Sequence, residues 1–126
     1  MQIAIMVYPG FTALDFIGPY EVLRNLPDAE VRFVWHEPGP ITADSGVLLI
    51  GATHSFDETP SPDIVLVPGG MTTFEHARDE KVLDWVRKAH QALETRGARL
   101  VALTTVPPHQ PRAGRHVATT SPPCTT

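Results

Sequence analysis

Two features of this sequence combine residue types and positions suited to chemistry. One is a lone carboxylate, Asp15, inside the apolar run Ala13-Leu14-Asp15-Phe16-Ile17; the other is the tripeptide Pro68-Gly69-Gly70 at the end of Ile64 to Val67. A carboxylate that opens a helix sits where the backbone dipole favours negative charge, and it can hold or deliver a proton; it can equally serve as a helix cap. Consecutive glycines leave backbone amides that no side chain screens, the arrangement an oxyanion needs, although a Gly-Gly turn also answers packing or dihedral demands.

The remaining chemically capable residues have plainer readings. Glu21 lies six positions after Asp15 and so points to a different helix face, which makes it a solvated residue. Trp35 and Trp85 fall on apolar faces and read as core. Cys124, set between prolines and threonines, has neither a strand-to-helix elbow nor a basic neighbour to favour a thiolate. A single cysteine also excludes an internal disulfide and a multi-thiolate zinc site, and no two of the six histidines share the His-x-x-x-His spacing of a helical metal pair. No metal and no cofactor are expected.

The elements that must position Asp15 and the glycines follow from periodicity. Gln2 to Val7 reads as a buried first strand ended by Pro9-Gly10. Ala13 to Arg24 reads as a helix with Thr12 as a possible cap and Leu14, Ile17, Val22 and Leu23 on its apolar face. Pro19 suggests that regular helix begins only near Gly18. Val31 to Trp35 is a second strand, Ile41 to Ala43 and Val47 to Ile50 form a hairpin around Asp44-Ser45-Gly46, and Ile64 to Val67 is a strand covered on both faces. Asp79 caps a helix from Glu80 to about Thr95, with Val82, Leu83, Val86 and Ala89 on one stripe, and Leu100 to Leu103 is a further strand. This alternation predicts an α/β fold: a mainly parallel sheet with flanking helices, whose ligand crevice lies beyond the carboxyl ends of the strands.

The chain has 126 residues, 42% of them hydrophobic and 19% charged, which fits one globular domain. A net charge of −4 without a basic block argues against nucleic acid as a partner. No apolar run approaches the ~18 residues of a membrane span and the amino terminus has no signal-peptide pattern, so no membrane association and a cytoplasmic location are expected. Past Thr104 the text turns rich in proline and threonine without period, so residues 1–103 are expected to form the domain and 104–126 an irregular or disordered tail.

Taken in order, the segments Pro9-Gly10, Leu14-Asp15-Phe16-Ile17-Gly18-Pro19, Trp35-His36-Glu37-Pro38-Gly39-Pro40 and Val67-Pro68-Gly69-Gly70 resemble the ThiJ/PfpI superfamily of class I glutamine-amidotransferase-like proteins, and within it the isonitrile-hydrating members. The resemblance runs over roughly residues 1–103. It implies a flavodoxin-like fold, a homodimer and an isonitrile as small-molecule substrate, hydrated to an N-substituted formamide by a hydro-lyase that needs no cofactor. In that family a cysteine on a strained turn attacks the terminal carbon and an aspartate handles the proton. Asp15 matches the aspartate, Gly70 the amide donor near the nucleophile, and Gly69 its neighbour.

The nucleophile's position, directly after Leu100 to Leu103, is held here by Thr104 in Leu103-Thr104-Thr105-Val106. A threonine hydroxyl without a base is a poor replacement for a thiolate, and Pro107-Pro108 forbids the helix that would follow the elbow. The resemblance therefore implies a catalytically impaired chain lacking the family's carboxyl-terminal half, and the change of texture points to a departure from the family reading frame near Ala92 to Thr104. Two other functions fit the same fold: the ligand-sensing half of an AraC-type transcription regulator, which requires a helix-turn-helix downstream, and a non-catalytic remnant stabilised by pairing.

Overall fold

Ile3, Ala4 and Ile5 are completely buried, which is possible only for a strand with neighbours on both edges and cover on both faces. In the computed structural model, which describes residues 1–70, 78–95, 102–104 and 117–119, that strand is β1 (Gln2–Met6). It pairs in parallel with β2 (Glu30–Trp35) on one side and β6 (Ile64–Leu66) on the other, with Ile5 opposite both Phe33 and Leu66. The short strand β5 (His54–Ser55) adds to β2, again in parallel, giving a four-stranded sheet of order β5-β2-β1-β6. The polypeptide therefore leaves β1, β2 and β6 at one edge of the sheet, and the segments after Met6, Trp35 and Leu66 gather there.

β3 (Gly39–Thr42) and β4 (Leu49–Ala52) form the antiparallel hairpin read from the sequence, in a register that sets Ile41 against Ile50. Its turn uses Gly46 at φ 84°, a conformation that favours glycine. The second helix, α2 (Glu80–Thr95), has the expected bounds, and Asp79 Oδ1 accepts the amides of Lys81 at 3.0 Å and Val82 at 3.4 Å. Val82, Trp85 and Ala89 bury its inner stripe, and Trp85 Nε1 donates to the Thr59 carbonyl at 2.8 Å.

The first helix, α1 (Ala13–Leu23), corrects two expectations. It starts at Ala13 and runs through Pro19 rather than beginning near Gly18. Its buried face is also only in part the one expected: Ile17 and Leu23 pack against the core, but Leu14 is 76% and Val22 69% exposed. The stripe that packs is Ala13, Phe16, Ile17, Tyr20 and Leu23, a closer match to the helical period. Phe16 and Tyr20 meet Phe33 edge-on, with ring centroids 4.8 and 5.4 Å away, and Phe11 adds a contact at 5.2 Å to Phe16. This aromatic packing accounts for a helix that tolerates an interior proline, because burial outweighs the single backbone hydrogen bond Pro19 cannot donate. Thr12 stands at the cap position without a side-chain cap bond; its hydroxyl reaches Asp44 Oδ2 at 3.3 Å instead.

Strand β7 (Ala102–Thr104) overlaps the expected Leu100 to Leu103 and includes Thr104. It pairs antiparallel with β8 (Val117–Thr119), Thr104 opposite Val117, so the expectation of no regular structure past Thr104 is not met at those three residues. The other residues of the 104–126 stretch lie outside the described ones. No helix among the described residues is long and apolar enough to cross a membrane.

Candidate functional site

At the carboxyl edge of the sheet, backbone hydrogen bonds draw the two sequence-selected features together. The amide of Thr12 donates to the carbonyl of Gly69 at 2.8 Å, and Phe11 forms an isolated antiparallel bridge with Gly70. One residue earlier, the buried Tyr8 hydroxyl donates to the Pro68 carbonyl at 2.7 Å. On its other side the same turn meets the hairpin, because Gly10 N–H donates to Thr42 O and Asp44 N–H to Phe11 O, both at 2.9 Å. The loop from Tyr8 to Thr12 is thus fixed between Pro68-Gly70 and β3, and it delivers α1 directly.

Asp15 falls in the first turn of α1, its amide donating to the Thr12 carbonyl at 3.1 Å, and it is only 8% exposed. Burial of a carboxylate is costly unless polar groups receive it, so this position differs in kind from that of Glu21, which is exposed and paired with Arg24 at 3.0 Å. The solvated reading of Glu21 holds.

Gly70 is required by space rather than by dihedral angle. Neither Gly69 nor Gly70 has a positive φ, whereas Gly10 in the preceding turn does, at 90°. A Cβ on Gly70 would stand 2.5 Å from the Gly10 carbonyl oxygen and 2.9 Å from both Phe11 Cα and the Tyr8 hydroxyl. Both glycines are buried. Thr104 closes β7, a strand that approaches β6, the element feeding Pro68-Gly69-Gly70. Cys124 lies outside the described residues.

Two residues that the sequence treated as unrelated meet at the same edge. His36 Nε2 lies 2.7 Å from Asp79 Oδ2, across 43 positions of chain. Burial alone would raise the Asp79 carboxyl, but the His36 hydrogen bond and the Val82 and Lys81 amides outweigh it and hold the group below the usual carboxylate range. The His36 ring is also held edge-on by Trp35 at 4.7 Å and by Phe56 at 5.2 Å. The Asp79 cap signal was legible, but its second oxygen's partner was not, because nothing local links the two positions. Tyr8 was missed for a similar reason: an aromatic at the end of an apolar run carries no mark of a carbonyl waiting 60 residues away. Among the described residues no three His, Cys, Asp or Glu side chains gather as a metal site would require.

Comparison with known proteins places this geometry. Residues 1–107 match the DJ-1/PfpI family. An isonitrile hydratase from Pseudomonas putida is 38% identical over 96 residues, which cover 76% of this chain and 41% of that protein. The chain thus spans about two fifths of the length of this curated relative. Among solved structures, a ThiJ/PfpI family protein from Pseudomonas syringae superposes with a TM-score of 0.72 at 28% identity, over 80% of this chain and 40% of that one. Drosophila melanogaster DJ-1beta shares the fold alone, with a TM-score of 0.63 at 21% identity over 80% of this chain and 53% of that one.

Proposed function

The chain belongs to the DJ-1/PfpI family, and on that premise we propose that it carries the proton-handling part of a centre for hydrating an isonitrile to an N-substituted formamide. The observation that supports this reading is the Thr12–Gly69 hydrogen bond with the adjoining Phe11–Gly70 bridge, which hold the first turn of α1, and so Asp15, against the Gly-Gly loop. In this proposal Asp15 supplies and recovers the proton, Gly69 and Gly70 shape the pocket for the developing charge, and Thr104 occupies the place of the thiol nucleophile. Attack by a thiol on the terminal carbon forms a C–S bond and places a proton on that carbon; water then displaces the sulfur, and tautomerisation leaves the formamide. A threonine hydroxyl, far less acidic than a thiol, performs the first step poorly, so this chain is proposed to be a slow catalyst.

The test is formamide release from an alkyl isonitrile, followed by mass spectrometry with the full chain. Formation above the buffer rate is expected, lowered about 10²-fold or more by Asp15→Asn, as for loss of a positioned proton donor. Release that Asp15→Asn leaves unchanged would remove Asp15 from the mechanism.

A further inference from the structure

Pro68, Gly69 and Gly70 lie beyond the ladder that pairs β6 with β1, whose last partners are Ile5 and Leu66. The ladder therefore does not orient this loop, and other groups must. Pro68 brings no N–H of its own, which leaves its carbonyl as the polar handle. That carbonyl accepts the buried Tyr8 hydroxyl at 2.7 Å, and the next one, on Gly69, accepts the Thr12 amide at 2.8 Å.

Each of these bonds fixes more than the oxygen it reaches. In a planar trans peptide the carbonyl and the following N–H point in opposite directions, and none of the described peptide bonds is cis. Anchoring the Pro68 oxygen thus aims the Gly69 N–H away from Tyr8, and anchoring the Gly69 oxygen aims the Gly70 N–H away from Thr12. Among the described residues no group accepts the Gly69 N–H, although Gly69 is buried. An amide held in direction with its hydrogen bond still to be made is what a developing negative charge requires.

The ring and the oxygen of Tyr8 have separable roles. The ring is buried, 6.4 Å from that of Trp35, and fills core space that phenylalanine would fill as well. The hydroxyl is the part phenylalanine lacks, and it reaches a carbonyl 60 positions away. The main chain of Tyr8 serves the other half of the centre, because its carbonyl accepts the Phe11 amide at 3.1 Å and closes the turn that leads into α1 and Asp15.

We propose that Tyr8 is a positioning residue for the reaction: through the Pro68 carbonyl its hydroxyl sets the direction of the Gly69 N–H, so that this amide meets the charge that develops as the isonitrile is attacked. The proposal rests on the isonitrile reading above. Tyr8 acts through Pro68 and not on the substrate.

The test uses the full chain carrying Thr104→Cys, which restores the thiol. Adding Tyr8→Phe should lower kcat for formamide release about tenfold, as for a donor tilted rather than removed, and leave KM within about twofold. Trp85→Phe is the control, since it also loses a buried bond from a side chain to a carbonyl, Nε1 to Thr59 at 2.8 Å, but outside the centre. It should lower the urea midpoint and leave kcat unchanged. With no substrate present, the ¹⁵N amide resonances of Gly69 and Gly70 should move in Tyr8→Phe and stay in place in Trp85→Phe. The proposal is overturned if those resonances ignore Tyr8→Phe, if turnover survives it, or if Trp85→Phe loses as much turnover. Should the thiol-bearing chain release no formamide, the isonitrile reading fails and the two amide resonances decide on Tyr8 alone. Should Tyr8→Phe fail to fold by near-ultraviolet circular dichroism, the parent decides. A solvent-protected Tyr8 hydroxyl proton with a nuclear Overhauser contact to the Gly70 Hα is then expected, and its absence overturns the proposal.

Discussion

A single Cβ separates the two possible reasons for a glycine at position 70. An amide donor needs an unscreened backbone, while close packing needs absent atoms, and the 2.5 Å approach to the Gly10 carbonyl oxygen makes the second demand absolute. Gly70→Ala must therefore push apart the Phe11–Gly70 bridge and the Tyr8 hydroxyl, against backbone that cannot rotate away as a side chain would. The expected cost is about 1–3 kcal/mol, the usual range for overpacking, read as a lowered urea midpoint with an unchanged slope. An alanine variant as stable as the parent would mean that the loop from Tyr8 to Thr12 is not held as described. A Gly-Gly turn after a strand is more often a packing or dihedral necessity, but the atoms that impose it here were not legible, because the partner residues lie some 60 positions earlier in the chain.

At the scale of elements, α2 shows what local text can encode. Asp79 and the apolar stripe together marked its bounds, because capping and periodicity act within a few residues of chain. The buried face of α1 was legible only in part: Ile17 and Leu23 pack as expected, but Leu14 and Val22 are apolar and face outward, while Phe33, the aromatic partner that selects Phe16 and Tyr20, comes from β2. The Asp79 carboxylate also links α2 to β2 through His36, and this gives a pH signature. Its folded value is depressed, so its stabilisation is complete above the unfolded value of about 3.9 and is lost as pH falls through the lower folded value. Asp79→Asn should be less stable than the parent from pH 5 to 7, and the gap should narrow as pH falls below about 4. Urea midpoints across that range would show it; a gap undiminished at pH 3 contradicts the assignment.

For the whole molecule, the succession of strands and helices along the chain and the convergence of the strands' carboxyl ends were legible in the sequence because alternating apolar runs and turn residues dictate a parallel sheet. Strand β5, two residues long, left no periodic trace, and the pairing of β7 with β8 joins the expected strand to Val117–Thr119, whose proline- and threonine-rich surroundings carry no strand signal.

In the proposed reaction centre Asp15 is one member and the sulfur is absent at position 104, where Thr104 stands. The measurement that addresses this most directly is formamide release from an alkyl isonitrile by the Thr104→Cys variant, with and without Asp15→Asn. Restoring the thiol should raise the rate at least about 10²-fold over the parent, and Asp15→Asn should abolish that gain. A Thr104→Cys variant no faster than the parent, or one whose gain survives the loss of the Asp15 carboxylate, would contradict it.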